Sequence, residues 1–445
     1  MPASVTFLAL ASAALAAAPP GPGPFGSHTI PQPVPGAPRG ASVEGWRAGR
    51  LCDITKAPYN ALGDGVANAT AALQQAIDDC GDLAEGGTVL VPEGSGVFPT
   101  ASLWLRSNLT VRVEAGATLL GTTLKGDAPI AYVRRECVMM HAHAGMLNAG
   151  RCLRLKDPLV GWDDCAEWSK LENVVIEGGG TLDANAEHWL AGGRERPMML
   201  DLMWVNGLTI RDLKVRRPGF WTIHPVFSNN VRVTGMDVRT RGHNTDGIDP
   251  DSCWNMYIAG NRFDNGDDCI AIKSGRDWSG IMVNISTRNL LIERNKFFQG
   301  HGVSIGSETS AWVQNVTIRD STLHGTNLAV RIKSSRGRGG GVSDVLYEGL
   351  SGSSKQGIQL TLAYERRAAT NSTATPELRN IVVRDLHVKS SDFLECNGLA
   401  DSPISGVMFE NVTVKGRARK NVCSYCRLSA KDVVPKPCKM AQFHV

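Results

Sequence analysis

The stretch Asn244–Lys273 reads NTDGIDPDSCWNMYIAGNRFDNGDDCIAIK. Six aspartates, Asp246, Asp249, Asp251, Asp264, Asp267 and Asp268, lie among apolar runs short enough to be strands. Carboxylates this dense repel one another and resist desolvation. A stretch built only for a stable strand would not carry them. If the chain winds here as a parallel β-helix, residues one coil apart stack at the strand spacing of about 4.8 Å. Asp246 then lies beside the Asp267–Asp268 step of the next coil, and three carboxylates gather on one face. Adjacent residues of a regular strand point to opposite faces, so Asp267 and Asp268 share a site only where the backbone bends, which Gly266 permits. Asp249, Asp251 and Asp264 read as Asx-turn residues between coils; Asp246, Asp267 and Asp268 read as a catalytic set.

The texture around this stretch repeats. Asn173-Val-Val-Ile176, Gly207-Leu-Thr-Ile210, Asn230-Val-Arg-Val233, Asn255-Met-Tyr-Ile258, Asn289-Leu-Leu-Ile292, Asn315-Val-Thr-Ile318, Asp344-Val-Leu-Tyr347, Asn380-Ile-Val-Val383 and Gly406-Val-Met-Phe409 recur every 23 to 36 residues, a solenoid period. Most units add a second short strand, such as Met236–Val238 or Phe297–Phe298. Without helices between them, these strands exclude a doubly wound α/β sheet. Leu does not recur at the fixed offsets of a leucine-rich repeat. The expected fold is all-β, a right-handed parallel β-helix. The segment Asn68–Cys80 carries Leu73, Ala76, Ile77 and Cys80 at helical spacing, with Asn68 as N-cap. It predicts a short amphipathic helix covering the open first coil, whose strand edges need a cover.

The remaining segments frame this domain. Residues 1–18 read as a secretory signal ending near Ala16–Ala18, although the usual positive start is missing. Residues 19–50 are a Pro/Gly-rich lead-in. The β-helix spans 51–416, broken by a long loop at 123–170 that contains Cys137, His141, His143, Cys152, Trp162 and Cys165 and walls the groove. The tail 417–445, with Cys423, Cys426 and Cys438, caps the last coil. Eleven cysteines behind a signal point to disulfides in an oxidising compartment, and the odd count leaves at least one unpaired or paired to another chain. Six Asn-X-Ser/Thr tripeptides, at Asn68, Asn108, Asn284, Asn315, Asn371 and Asn411, suit a secreted, extracellular or cell-wall glycoprotein. The net charge of +4 is a mild excess without a dense basic run, so no nucleic-acid partner is expected. No other segment would cross a membrane, and a monomer is expected.

Beyond the aspartates, Gly300-His301-Gly302 and then Arg331-Ile332-Lys333 follow at about one coil each. Arg331 and Lys333 share a face while Ile332 points inward. Acids, a histidine and two cations in a row make a groove for a linear anionic polymer. These motifs resemble glycoside hydrolase family 28, the polygalacturonases: NTD (244–246), GDD (266–268), GHG (300–302) and RIK (331–333) occur in the family's order and spacing. FWTIHPV (220–226), DGIDPDSC (246–253), DDCIAIKSGRD (267–277), SIGSE (304–308) and GRGG (337–340) also look like plant and bacterial members. The resemblance implies hydrolysis of α-1,4-linked galacturonic acid in pectin with inversion and no cofactor. It makes Asp267 the general acid, Asp246 and Asp268 the pair activating water, and His301 the support of the acid. It makes Asn244, Arg331, Lys333 and Tyr364 substrate-binding. The raised pKa that an acid needs is expected on Asp267 from its like-charged neighbours. No metal site of clustered His and Cys stands out. The chain departs from the family at Thr309–Trp312, where Trp312 is expected to alter the groove near His301.

Three rivals remain. A rhamnogalacturonan hydrolase would use the same aspartates but has less need of Arg331 and Lys333. A pectate lyase would need a cation and a basic residue as base. A non-catalytic carbohydrate-binding β-helix would not need the three aspartates. Endo against exo action stays open; the KSGRD segment and the insertion lean toward exo.

Overall fold

The structure, a computed structural model, describes residues 49–155, 165–189, 196–364, 372–417 and 419–438. The expected signal, most of the lead-in, Trp162, Asn371 and residues 439–445 lie outside them. The chain winds as a right-handed parallel β-helix. Each coil contributes strands that pair in parallel with those of the coils before and after. One sheet runs through Leu109–Val113, Leu171–Gly178, Val205–Arg211, Asn229–Thr234, Trp254–Ala259, Thr287–Glu293, Val313–Arg319, Gly341–Glu348, Glu377–Lys389 and Ile404–Lys415.

The repeated Asn is the corner of each coil. Asn230, Asn255, Asn289 and Asn315 hold left-handed φ of 53°, 57°, 60° and 53°, a conformation that Asn tolerates better than most residues. Their amides form a column: Asn315 Nδ2 donates to Asn289 Oδ1 at 2.9 Å, and Asn289 Nδ2 donates to Asn255 Oδ1 at 3.1 Å. Three residues on, Ile258, Ile292, Ile318, Tyr347, Val383 and Phe409 stack one per coil in register, all buried. Apolar stacking and amide stacking therefore fix the same register, and a slip would break both.

The helix Thr70–Cys80 buries Leu73, Ala76, Ile77 and Cys80 against the first strands. Its N-cap position is Ala69 rather than Asn68; the Asn68 side-chain Oδ1 instead accepts the Thr70 N–H at 2.9 Å. The described residues of 123–170 do not form one long loop. They form an antiparallel hairpin, Ile130–Arg135 with Val138–His143, then a strand of the solenoid, Leu147–Ala149, then a second hairpin, Cys152–Leu155 with Cys165–Trp168. The tail winds on: Asn421–Ser424 and Cys426–Val434 pair with the strands one coil earlier. Disulfides join Cys52–Cys80, Cys152–Cys165, Cys396–Cys426 and Cys423–Cys438. Cys137, Cys253 and Cys269 are unpaired and buried. No helix among the described residues is long and apolar enough to cross a membrane.

Phe263 and Phe297 stack inside consecutive coils at 5.4 Å, both buried. Phe263→Ala should cost about 3–5 kcal/mol in urea unfolding. A loss below about 1 kcal/mol would mean that this coil is not held by its core.

Candidate active site

Ile248, Ile270 and Val303 are aligned on successive coils. Asp246, Asp268 and His301, each two residues earlier, therefore fall on one line across the same face. The Gly247 N–H donates to the Asp268 carbonyl at 3.0 Å, and the His301 N–H to the Asp267 carbonyl at 3.2 Å. The backbone does bend at Gly266–Asp267, but Gly266 is needed for closeness rather than for an unusual φ: a Cβ there would stand 2.3 Å from the Gly242 carbonyl oxygen. Gly300 needs both, with φ +97° and a Cβ position 2.3 Å from the Asp267 carbonyl oxygen. Arg331 and Lys333 come from the next strand, Thr322–Lys333, with Ile332 in the core between them.

Asp268 is the best-bonded carboxylate of the group. Ser304 Oγ donates to its Oδ1 at 2.7 Å, Arg331 Nη1 to Oδ1 at 3.0 Å and Lys333 Nζ to Oδ2 at 2.9 Å. Burial works to raise its pKa, yet Lys333, His301 and Arg331 outweigh it and hold the carboxyl well below its usual range. His301 Nδ1 stands 3.1 Å from Asp268 Oδ1 and 3.3 Å from Asp267 Oδ1. Burial would lower the imidazole, but bonding to the two carboxylates prevails and raises it to about 9. Asp267, partly exposed, takes the Asn244 N–H on Oδ2 and the Asp268 N–H on Oδ1, each at 3.0 Å. Arg196 Nη2 donates to the Asn244 side chain at 3.1 Å. The half-exposed Tyr364 ring lies 5.1 Å from Lys333 Nζ and 5.5 Å from the Arg331 guanidinium. All eight residues singled out in the sequence thus come close together on one side of the solenoid. Asp267, Asp268 and His301 also bring possible ligand atoms within 4.8 Å of one another; the two cations already bonded to Asp268 oppose a third positive charge there.

Three expectations need correction. The raised carboxyls are Asp246 and Asp249, not Asp267, burial and then Asp246 pushing Asp249 well above its usual range. Burial, then the charges of Asp267 and Asp268, push Asp246 up to about 8. In Asp267, burial and Asp268 also act upward, but the His301 bond and the Asn244 N–H leave the net shift downward. Nor are Asp249, Asp251 and Asp264 turn residues. Asp249 and Asp251 are fully buried, Asp251 pairing with Arg134 of the first hairpin. Asp264 ends the strand Arg262–Asp264 and faces Arg241 at 3.1 Å. Finally, Trp312 packs against the Arg379 guanidinium at 5.4 Å, where the sequence placed it beside His301.

Sequence reading missed the charges next to the line. Lys273 Nζ lies 3.3 Å from Glu308, 3.7 Å from Asp249 and 4.4 Å from the Trp221 ring. Arg338 reaches Glu308 at 3.7 Å and pairs with Asp277; Arg276 joins Asp277 to Glu136 of the hairpin. The signal was in SGRD, SIGSE and GRGG, charged residues inside apolar runs, but nothing in their spacing tells which pair together.

Residues 156–433 match the family described as "Glycosyl hydrolases family 28". A protein of Vitis vinifera named "Probable polygalacturonase" is 29% identical over 85% of this chain and 78% of its own length. The "Exo-poly-alpha-D-galacturonosidase" of Dickeya chrysanthemi is 27% identical over 82% of this chain and 68% of its own. A crystal structure described as a hyperthermoactive exopolygalacturonase from Thermotoga maritima superposes with a TM-score of 0.76 at 24% identity, covering 86% of this chain and 91% of that one; this likeness supports the fold alone.

The raised His301 gives a pH signature. Its ion pairs stabilise the folded state fully below the ordinary value of 6.5 and are lost as pH rises through about 9. Wild type should therefore exceed His301→Gln in unfolding free energy at low pH, and the gap should close above about 9. A gap that is constant or widens with pH would remove the charged imidazole from this account.

Proposed function

The chain belongs to glycosyl hydrolase family 28 and is a glycosidase; from that premise we propose that it is a polygalacturonase, cleaving α-1,4-galacturonan by inverting acid/base hydrolysis. The observation carrying this reading is the line of Asp246, Asp268 and His301 with Asp267 beside it and Arg331 and Lys333 closing the cleft.

In this mechanism Asp267 is the general acid. Its carboxyl gives a proton to the glycosidic oxygen as the bond to the anomeric carbon breaks. Asp246 and Asp268 orient a water that attacks the opposite face and take up its proton. In the free enzyme His301 and two backbone N–H groups keep Asp267 low. A uronate carboxylate entering the cleft adds negative charge and excludes water, and both push the acid upward. Arg331 and Lys333 spend only part of their donors on Asp268, since Arg carries five and Lys three. The rest, beside Tyr364, suit a sugar carboxylate through charge-assisted bonds, which favours galacturonate over a neutral sugar such as rhamnose at that position.

We further propose exo action. The turn of the first hairpin lies over the face on the Asp251 side of the line: Arg134 pairs with buried Asp251 and Arg135 packs over Phe220 at 4.1 Å. Cys137 is fully buried against Met198, Phe220 and Trp221. A groove filled on one side accepts a chain end. Secretion, with residues 1–18 as a signal, belongs to the same reading; the four disulfides support it.

Asp267→Asn should reduce turnover of polygalacturonate by about a hundredfold or more, with folding and oligosaccharide binding kept. A folded variant that retains more than about a tenth of the rate would sink the assignment. Proton NMR should show the β-anomer first from the α-linked polymer; an initial α-anomer would refute inversion. Early products should be monomer alone. A ladder of oligomers would mean that the hairpin does not close the groove.

A further inference from the structure

Charge pairing across the cleft leaves two carboxyls over. Asp268 has Arg331 and Lys333. Asp267 has His301. Glu308 has Lys273 at 3.3 Å, with Arg338 at 3.7 Å, and these cations keep it ionised against burial. What remains is Asp246 and Asp249, three residues apart on one coil, either side of the bridged Ile248. Asp249 is fully buried, and among the described residues no N–H or hydroxyl donor reaches either of its oxygens; Oδ1 of Asp246 is likewise without one. The charge of Asp246 is the largest neighbouring influence on Asp249 after burial itself. Lys273 stands 3.7 Å from Asp249, but its closer bond is to Glu308. His224, the in-register neighbour of Asp249, is engaged with Asp201 at 3.0 Å.

A buried carboxylate without donors is among the costliest groups a protein can hold, and it is relieved by taking a proton. Two adjacent carboxyls relieve each other when one is the acid and donates to the other. Asp246 keeps 3% of its surface accessible and Asp249 none, so the sealed partner is the place for the proton.

We propose that Asp249 is a permanently protonated positioning residue, whose O–H donates to Asp246 and fixes it as the acceptor for the attacking water. Asp249 gives up no proton during the cycle; its hydrogen bond holds the Asp246 carboxylate in one orientation and opposes the upward push that burial, Asp267 and Asp268 exert on that carboxyl. The idea rests on the acid/base reading for its kinetic consequence, but not for the state of Asp249 itself.

Two variants and one spectrum test it. Asp249→Asn keeps an N–H donor of similar shape; Asp249→Ala removes the donor. The alanine variant should lose about a hundredfold in kcat with little change in KM, as for a misplaced catalytic group, while the asparagine variant should stay within about tenfold of wild type. Infrared difference spectra of the wild-type enzyme at neutral pH should contain a protonated-carboxyl C=O band that vanishes in Asp249→Asn and survives in Asp267→Asn. Survival of the band in Asp249→Asn overturns the proposal, as does equal damage from the alanine and asparagine changes in folded protein. If Asp267→Asn proves fully active, the acid assignment fails, while the band still decides where the proton on the carboxyl pair resides.

Discussion

Arg331 and Lys333 grip one buried carboxylate, and the coil register is what lets them. Asp268 lies two coils before them, yet both cations reach it at 3.0 and 2.9 Å. Removing either partner of such a buried pair costs about 3–5 kcal/mol, because the charge left behind has no solvent. The grip therefore ties Ile270–Ile272, Val303–Ile305 and Thr322–Lys333 into one unit. Ser304, aligned between them, adds a neutral donor to the same oxygen that Arg331 uses. Any change that shifted one coil against the next would break these bonds before it disturbed the apolar stack.

The alignment of Asp246, Asp268 and His301 was legible in the sequence because a solenoid turns sequence spacing into spatial adjacency. Asp246, Asp268 and His301 are separated by about one coil each, and parallel pairing leaves no other place for them. The Asn corners were legible for the same reason: a residue that tolerates left-handed φ recurs where the chain must turn. What stayed hidden were pairings between elements without a fixed period. Nothing in the spacing of Arg134 and Asp251, or of Arg338, Glu308 and Lys273, tells that they meet, since the hairpin and the segment Asp277–Val283 lie outside the repeat. The turn reading of Asp249 failed in an instructive way. Asx chemistry explains an aspartate only when it reaches a backbone N–H, and Asp249 reaches none.

The hairpin Ile130–His143 shows what an insertion must supply to stay on such a face. Its strands pair only with each other, and a two-stranded hairpin is marginal in water. It is held instead by one ion pair sunk into the solenoid, Arg134 on Asp251, with its guanidinium also 4.6 Å from the Phe227 ring, and by a part-exposed pair, Glu136 on Arg276. Buried ion pairs add little net stability but penalise misplacement strongly, which suits a segment whose position matters more than its own folding energy. Arg276 in turn pairs with Asp277, Asp277 with Arg338 and Arg338 with Glu308, so the hairpin connects to the acids around Asp268 through alternating charges.

The distribution of cations then decides the distribution of protons. Five acids, Asp246, Asp249, Asp267, Asp268 and Glu308, crowd the floor, and the cations beside them are not shared evenly. Asp268 receives Arg331 and Lys333, Glu308 receives Lys273 and Arg338, Asp267 and Asp268 share the His301 imidazolium, and the Asp246–Asp249 pair faces only a lysine already engaged. Acid/base hydrolysis needs one carboxyl that can hold a proton beside others that cannot. A site with equal neutralisation would titrate as an undifferentiated cluster. Here the asymmetry is built in by strand register: alternate residues of Thr322–Lys333 aim two cations at one aspartate, and Ile332 between them buries the strand that carries both.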